Sequence, residues 1–138
     1  MNPIRTVAAA FVVMCALTVT APAQAQTTAT ECKARIDLVQ TDLTSIYNTP
    51  EGIGGKNPTQ TYNSLTSKLQ GAKTKINQHK ESDALQKLQD FKTAVLALRD
   101  AAKPKISFVD ASLLLDGSGD PPDEGVNGAI TCVSELPQ

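Results

Sequence analysis

Apolar positions in the middle of the chain form two matched sets. The first recurs at intervals of three and four residues: Tyr62, Leu65, Leu69, Ala72 and Ile76. The second repeats these intervals after a polar break: Leu88, Phe91, Val95, Leu98 and Ala102. Because residues three and four apart share one face of an α-helix, the pattern predicts two amphipathic helices. We expect them to fold back on each other as a helical hairpin over residues 57–103, with a turn at residues 80–83 and Ser82 or Asp83 as the second cap.

A third set of apolar positions precedes the hairpin: Cys32, Ile36, Val39, Leu43 and Ile46. Thr28 and Glu31 have the spacing of a capping box and predict the start of this first helix. Three glycines within residues 52–55 predict an irregular, mobile connection. The next helix is expected to begin at Asn57-Pro58, where an N-cap residue precedes a proline.

Pro104 is expected to end the third helix near Lys103. After it, the apolar positions at helical spacing cover fewer residues. Ser107 is expected to cap a fourth, shorter helix, with Ile106 packing at its start, and with a buried side made by Val109, Leu113 and Leu114. Residues 116–125 hold three glycines, two prolines and four carboxylates, which predict an acidic loop. Residues 126–135 are mildly apolar and fit either a short helix or an extended segment. The predicted fold is all-α, a single-domain helical bundle of three main helices plus a short fourth over residues 26–138.

The first 25 residues have the form of a secretory signal peptide. Arg5 precedes a nearly wholly apolar run over residues 7–19, and Ala23-Gln24-Ala25 resembles a cleavage site. The run is short of the ~20 residues that span a bilayer, so we expect cleavage and no stable membrane insertion afterwards. The signal suits a bacterial exporter and predicts a secreted or periplasmic protein.

Cleavage would remove Cys15 and leave Cys32 and Cys132. A pair of cysteines in an exported protein predicts a disulfide, here tying the two ends of the domain together. Closing a loop of this length is worth about 4–5 kcal/mol in the chain-entropy account. The alternatives are a metal site or a reactive thiol, but His79 is the sole histidine and the spacing is not that of zinc ligands.

The balance of charged residues and the absence of Trp limit the classes of partner that we expect. The segment after residue 25 has 12 Lys and Arg against 14 Asp and Glu, and the chain has no Trp. Nucleic-acid binding normally needs a basic face and often stacking aromatic rings, so nucleic acid is not an expected partner. An exported protein or an envelope polymer is expected instead.

The acidic loop offers a candidate calcium site. Asp116, Ser118 and Asp120 alternate like the ligands at positions one, three and five of a calcium loop. Such a loop has Gly at position six and Glu at position twelve, where this chain has Pro121 and Asn127. We therefore expect a solvated acidic loop, with no metal and no cofactor.

Catalytic motifs are incomplete. No serine lies in a Gly-x-Ser-x-Gly turn, and both cysteines are expected to be oxidised. A pair of carboxylates stays open, because their separations are unknown from sequence. Lysines on the hairpin would give it a basic side, which we interpret as a solvated face: Lys68, Lys73, Lys75, Lys80 and Lys87. Tyr47 and Tyr62 are expected to be core residues with the hydroxyl at the rim.

Residues 60–115 resemble the FIMAH domain. The resemblance rests on Ser64-Leu-x-x-Lys-Leu-x-x-Ala72, on Ala84-Leu-x-x-Leu-x-x-Phe91-x-x-x-Val95, on Lys105-Ile106 and on Ala111-x-x-Leu114. FIMAH domains are small helical modules beside catalytic domains of secreted bacterial hydrolases, and they carry no catalytic motif. The resemblance implies a small helical module without a catalytic motif. The export signal, the compact bundle and the incomplete catalytic motifs make a secreted, non-enzymatic helical interaction module our leading hypothesis. The alternative is a small secreted hydrolase, or an inhibitor of an exported hydrolase, whose carboxylates meet in a cleft.

Overall fold

The computed structural model describes residues 27–119 and 124–137, and the fold of this part is all-α, as predicted. Its helices, in chain order, are α1 (Ala29–Tyr47), α2 (Pro58–Asn77), α3 (Glu81–Arg99), α4 (Phe108–Asp116) and α5 (Gly125–Ser134). The predicted signal peptide, residues 1–25, lies outside the described residues. No helix of the described part is long and apolar enough to cross a membrane.

Helix α1 begins at the predicted capping box. The Thr28 hydroxyl accepts the Glu31 N–H at 3.2 Å, and the Glu31 carboxylate accepts the Thr28 N–H at 2.8 Å. These bonds satisfy backbone donors that the first turn of a helix leaves without a partner. The predicted apolar face is buried in full: Cys32, Ile36, Val39, Leu43 and Ile46.

Helices α2 and α3 form the predicted hairpin and bury the facing sides of their apolar sets. Helix α2 starts after Asn57 with Pro58 in its first turn. The buried positions of the pair are Leu65, Leu69, Ala72, Ile76, Ala84, Leu88, Phe91 and Val95. Phe91 is the largest fully buried side chain. It lies on the side of α3 that α5 and α4 help to enclose.

The turn of the hairpin is tighter than the sequence predicts. His79 adopts a left-handed conformation, with φ 54°. Its N–H donates to the Ile76 carbonyl at 3.1 Å, and the Lys80 N–H donates to the Lys75 carbonyl at 3.0 Å. This is the Schellman pattern of a helix C-terminus, and it reverses the chain quickly enough for α3 to start at Glu81. Lys80 therefore occupies the N-cap, and the prediction of Ser82 or Asp83 there is wrong.

Helix α3 ends at Arg99, four residues before the predicted Lys103. The chain turns at once, because the Lys105 N–H donates to the Leu98 carbonyl at 2.9 Å. Ala102 is consequently exposed and does not extend the buried face of the helix.

The connection between α1 and α2 is pinned to the segment that follows α3. Ile53 and Ile106 form an isolated antiparallel bridge, and the Gly54 N–H donates to the Lys105 carbonyl at 2.7 Å. Both isoleucines are buried. Gly52 packs so closely under the end of α1 that a Cβ atom would overlap the Ile46 carbonyl oxygen. The connection is irregular as predicted, but the prediction that it is mobile is wrong for its centre, which belongs to the core.

Helix α4 starts at the predicted cap, where the Ser107 hydroxyl accepts the Asp110 N–H at 3.0 Å. Ile106 and Leu114 are buried as predicted. Val109 is 75% exposed, so its predicted burial is wrong. At about 100° per residue, Val109 lies some 200° around the helix from the buried Ala111.

Residues 125–134 are helical, which decides between the two structures that the sequence left open. Six of its ten residues are buried: Gly125, Val126, Gly128, Ala129, Cys132 and Val133. Helix α5 packs against α1, α3 and α4. The predicted disulfide joins Cys32 of α1 to Cys132 of α5, with 5.4 Å between the Cα atoms. The five helices thus share one core, and α5 completes it by packing against α1, α3 and α4.

Candidate functional site

A groove of about 550 Å³ opens at the end of the hairpin away from its turn. Its floor lies between the first two turns of α2 and the last two turns of α3. The floor is apolar and made by three alanines and two leucines: Leu65, Ala94, Ala97, Leu98 and Ala101. Ala94 and Ala97 share one face of α3, and Ala101 follows just after the helix ends at Arg99. We call this feature the hairpin groove.

The α2 wall of the hairpin groove is neutral and polar. It carries the amide side chains of Asn57 and Gln60 and the hydroxyls of Thr61 and Ser64. Amide side chains provide both donors and acceptors of hydrogen bonds. An apolar floor with a few convergent polar groups is the usual make-up of a ligand site, and the volume lies in the common range of ~300–1,000 Å³.

Two lysines line the groove at its loop end, Lys56 and Lys105. The aliphatic part of Lys105 lies over Gly55, where a Cβ atom would come within 3.3 Å of the Lys105 Cδ. No carboxylate lines the groove. Within residues 27–119 and 124–137, neither lysine forms a salt bridge.

Lysines on the closed half of the hairpin are arranged differently. Lys73 forms an ion pair with Asp37, and Lys75 Nζ lies 3.0 Å from the Asp83 carboxylate. The Lys75 ammonium lowers the pKa of Asp83 below its ordinary value. The predicted basic side of the hairpin is therefore only partly neutralised, because Lys68, Lys80 and Lys87 form no salt bridge with a described residue.

Helix dipoles do not set the electrostatic sign at the hairpin groove. The N-terminus of α2 and the C-terminus of α3 lie at the same end, so their partial charges oppose each other. The sign of the local potential therefore comes from the ammonium groups of Lys56 and Lys105.

A second cleft lies beside the disulfide and gathers three carboxylates with one arginine. Arg35 Nη1 donates to Glu124 Oε2 at 2.6 Å, and the Thr27 hydroxyl donates to Glu135 Oε2 at 3.0 Å. Glu31, the third carboxylate of the cleft, is engaged in the cap of α1. Gly128 leaves room for the Arg35–Glu124 ion pair, because a Cβ atom there would come within 2.8 Å of Glu124 Oε2 and within 3.2 Å of Arg35 Nη1.

The chemistry of this acidic cleft bears on the hydrolase alternative. The backbone and hydroxyl hydrogen bonds of Thr28 lower the pKa of Glu31 below its ordinary value of 4.5. A general acid working near neutral pH needs the opposite shift. Glu124 is held by Arg35 and Glu135 by Thr27, so each carboxylate has a structural contact. The hydrolase alternative stays a prediction that this cleft does not favour.

The calcium candidates are only partly described. Asp116 Oδ1 accepts a hydrogen bond from Asn127 Nδ2 at 2.7 Å, and Lys92 Nζ donates to Asn127 Oδ1 at 2.8 Å. This chain of contacts links the end of α4 to α5 and α3. Ser118 follows in the loop, and Asp120 lies outside the described residues. In the described ranges, no group of three or more His, Cys, Asp or Glu side chains is placed to hold a metal ion.

The aromatic and apolar surface residues have separate roles. Tyr47 and Tyr62 stack with 4.3 Å between ring centroids, and their hydroxyls bond to Thr59 and Thr44. Both tyrosines are partly buried against the core, so they join α1 to α2. On the surface, Phe108 is 69% exposed, with the Arg99 guanidinium 5.5 Å from its ring centroid.

Comparison with known proteins leaves the family open. No family model matches the chain, and no curated protein or solved structure matches it either. The FIMAH resemblance of residues 60–115 therefore stays a hypothesis.

Proposed function

We propose that the protein is an exported, non-enzymatic helical binding module that holds its partner in the hairpin groove. The observation that carries the proposal is the make-up of the groove, which combines an apolar floor, a polar wall and two lysines that form no salt bridge with a described residue. The partner class is an exported protein or an envelope polymer. Export is supported by the apolar N-terminal run and by the disulfide, since disulfides persist in oxidising compartments.

The test fills the floor of the groove without touching the core. Ala97 is exposed and lines the groove, so an Ala97→Phe side chain would occupy the space between α2 and α3. Gln89→Phe is the matched control, because Gln89 is exposed on the same helix and lies outside the groove. Circular dichroism and thermal unfolding would establish that all three proteins are equally folded.

Each protein would be immobilised and exposed to the exported proteins and envelope polymers of the producing bacterium. We expect a component that binds wild type and Gln89→Phe in a saturable manner, and whose affinity falls at least tenfold with Ala97→Phe. Equal retention by all three proteins, or no saturable partner, would contradict the proposal. A parallel screen for glycosidase and peptidase activity tests the hydrolase alternative. That alternative requires that the wild-type protein hydrolyse a substrate and that the Ala97→Phe variant hydrolyse it equally well.

A further inference from the structure

We infer that the hairpin groove recognises the free C-terminal carboxylate of a partner polypeptide that ends in small apolar residues. This inference rests on the proposed function and names the chemistry of its ligand. Its starting observation is an asymmetry within the groove: the two lysines, Lys56 and Lys105, lie at the loop end, whereas the alanine floor extends from them between the helices.

Charge complementarity fixes the anionic end of the ligand. Lys56 and Lys105 lack a salt bridge in the described part of the chain, and no carboxylate lines the groove. Lys68, Lys80 and Lys87 also form no salt bridge with a described residue, so the distinguishing feature of Lys56 and Lys105 is that both line one groove. An anion at the loop end would therefore meet two ammonium groups without displacing a carboxylate of the protein itself. Capture of a terminal carboxylate is an established mode of peptide recognition.

The position of the two lysines is held by the fold. The Gly54 N–H donates to the Lys105 carbonyl, and the neighbouring Ile53 and Ile106 are buried as a bridged pair. Lys56 and Lys105 thus project from two segments that are joined through their backbones. Pre-positioned charges cost less entropy on binding than charges on loose loops.

The remainder of the groove fits a short peptide. Its α2 wall covers residues 57–65, or roughly 12 Å at ~1.5 Å per helical residue. An extended peptide of three or four residues has that length at ~3.3 Å per residue. Asn57 Nδ2 donates to Gln60 Oε1 at 3.5 Å, and this leaves the Asn57 Oδ1 and the Gln60 Nε2 to pair with peptide N–H and C=O groups. The alanine floor admits a backbone with small side chains and leaves little depth for large ones.

The test compares one peptide in two terminal forms. Fluorescein-Gly-Ala-Ala-Ala would be titrated as the free acid and as the C-terminal amide, with binding followed by fluorescence anisotropy at low salt. We expect the acid to bind about tenfold more tightly than the amide, since an exposed ion pair contributes up to about fivefold and two are available. Raising the salt concentration should reduce this preference.

Substitutions of the two lysines test whether they cause the preference for the free acid over the amide. Lys56→Gln and Lys105→Gln should each weaken binding of the acid by about three- to fivefold, and the double variant should bind acid and amide equally. Lys80→Gln is the matched control, because Lys80 is exposed at the opposite end of the hairpin and outside the groove. It changes the net charge equally and should leave the preference intact.

Several results would overturn the inference. These are equal binding of acid and amide to wild type, no binding of either at millimolar peptide, or a preference that persists in the double lysine variant. A third peptide, amidated but with an internal Glu, tests whether any carboxylate suffices, and binding equal to that of the free acid would contradict terminal recognition. Stronger competition by polygalacturonate than by the acid would indicate a polymer ligand instead. The proposed function survives these failures if Ala97→Phe still abolishes capture of an exported partner.

Discussion

At the residue scale, His79 carries a local backbone cost. It is the one residue other than glycine with positive φ in the described part of the chain. For an L-residue with a side chain, this left-handed region costs roughly 1–2 kcal/mol relative to the right-handed helix. Glycine is the usual residue at this position of a Schellman motif because it lacks the Cβ atom that causes the strain.

We predict that His79→Gly raises the free energy of unfolding by about 0.5–1 kcal/mol, which is the relieved strain less the added entropy of the unfolded chain. The exposed imidazole has no hydrogen-bond partner among the described residues that would be lost. Urea denaturation followed by circular dichroism would measure the change.

The matched control for this substitution is Gln78→Gly. Gln78 is also exposed, but its φ of −93° suits any L-residue, so glycine there relieves no strain. We expect that variant to be neutral or less stable than wild type. Equal changes in the free energy of unfolding for the two substitutions would show that backbone strain at His79 does not lower the stability of the protein.

At the element scale, the start of α1 links stability to pH. The Thr28 hydrogen bonds lower the pKa of Glu31 in the folded protein below its ordinary value of 4.5. The folded state therefore binds this proton less readily than the unfolded state. The contribution of Glu31 is complete above the unfolded-state pKa and is lost as the pH falls through the lower folded-state pKa.

We predict that Thr28→Ala lowers the free energy of unfolding at pH 7 by about 1 kcal/mol, the usual effect of deleting an N-cap hydroxyl. Glu31→Gln should change stability less at pH 7, because glutamine also serves in a capping box. It should, however, reduce the loss of stability between neutral and acidic pH. Denaturation curves at several pH values would test both, and an unchanged acid dependence in Glu31→Gln would contradict the linkage.

The predictability of the helices followed their length and their helix propensity. Helices α1, α2 and α3 each bury one side over 19 or 20 residues, so their apolar residues recur at helical spacing in the sequence. Helix α5 also buries one side, but it has only ten residues and includes Gly125 and Gly128, which have low helix propensity, so the sequence did not distinguish it from an extended segment. Gly128 is there because Arg35 and Glu124 lie where a side chain would be.

At the scale of the whole molecule, the disulfide constrains the chain over almost its full described length. It closes a loop with a sequence separation of 100 residues, and both sulfur-bearing residues are buried in the contact of α1 with α5. Such a cross-link acts mainly on the unfolded chain by removing conformations that the folded state never uses.

We predict that replacing Cys32 and Cys132 together by Ser lowers the free energy of unfolding by about 4–5 kcal/mol. The midpoint of urea denaturation should fall accordingly, and wild type treated with a reductant should approach the variant. The reductant should leave the denaturation curve of the variant itself unchanged. If the double variant kept its full stability, helix packing alone would account for the fold.

The hairpin groove could not be predicted from local sequence patterns alone. Ala94 and Ala97 share a face of α3, which is a signal that the sequence does contain, whereas Ala101 comes after the helix has ended. The other half of the site depends on bringing Lys56 next to Lys105, residues on either side of the hairpin. That meeting is produced by the Ile53–Ile106 bridge, a long-range contact between two segments without helical or strand periodicity.

The hydrogen bond from Thr27 to Glu135 gives the molecule the topology of a nearly closed ring, because the two ends of the described chain meet there. If the two ends were joined, the chain could be opened at a different exposed turn without changing how the helices pack. A version with these ends joined by a short linker and reopened at the exposed His79 turn would keep all five helices in place. Its new ends would project from the side of the bundle opposite the hairpin groove, which makes that turn a natural point for attaching the module to another protein while its groove stays open.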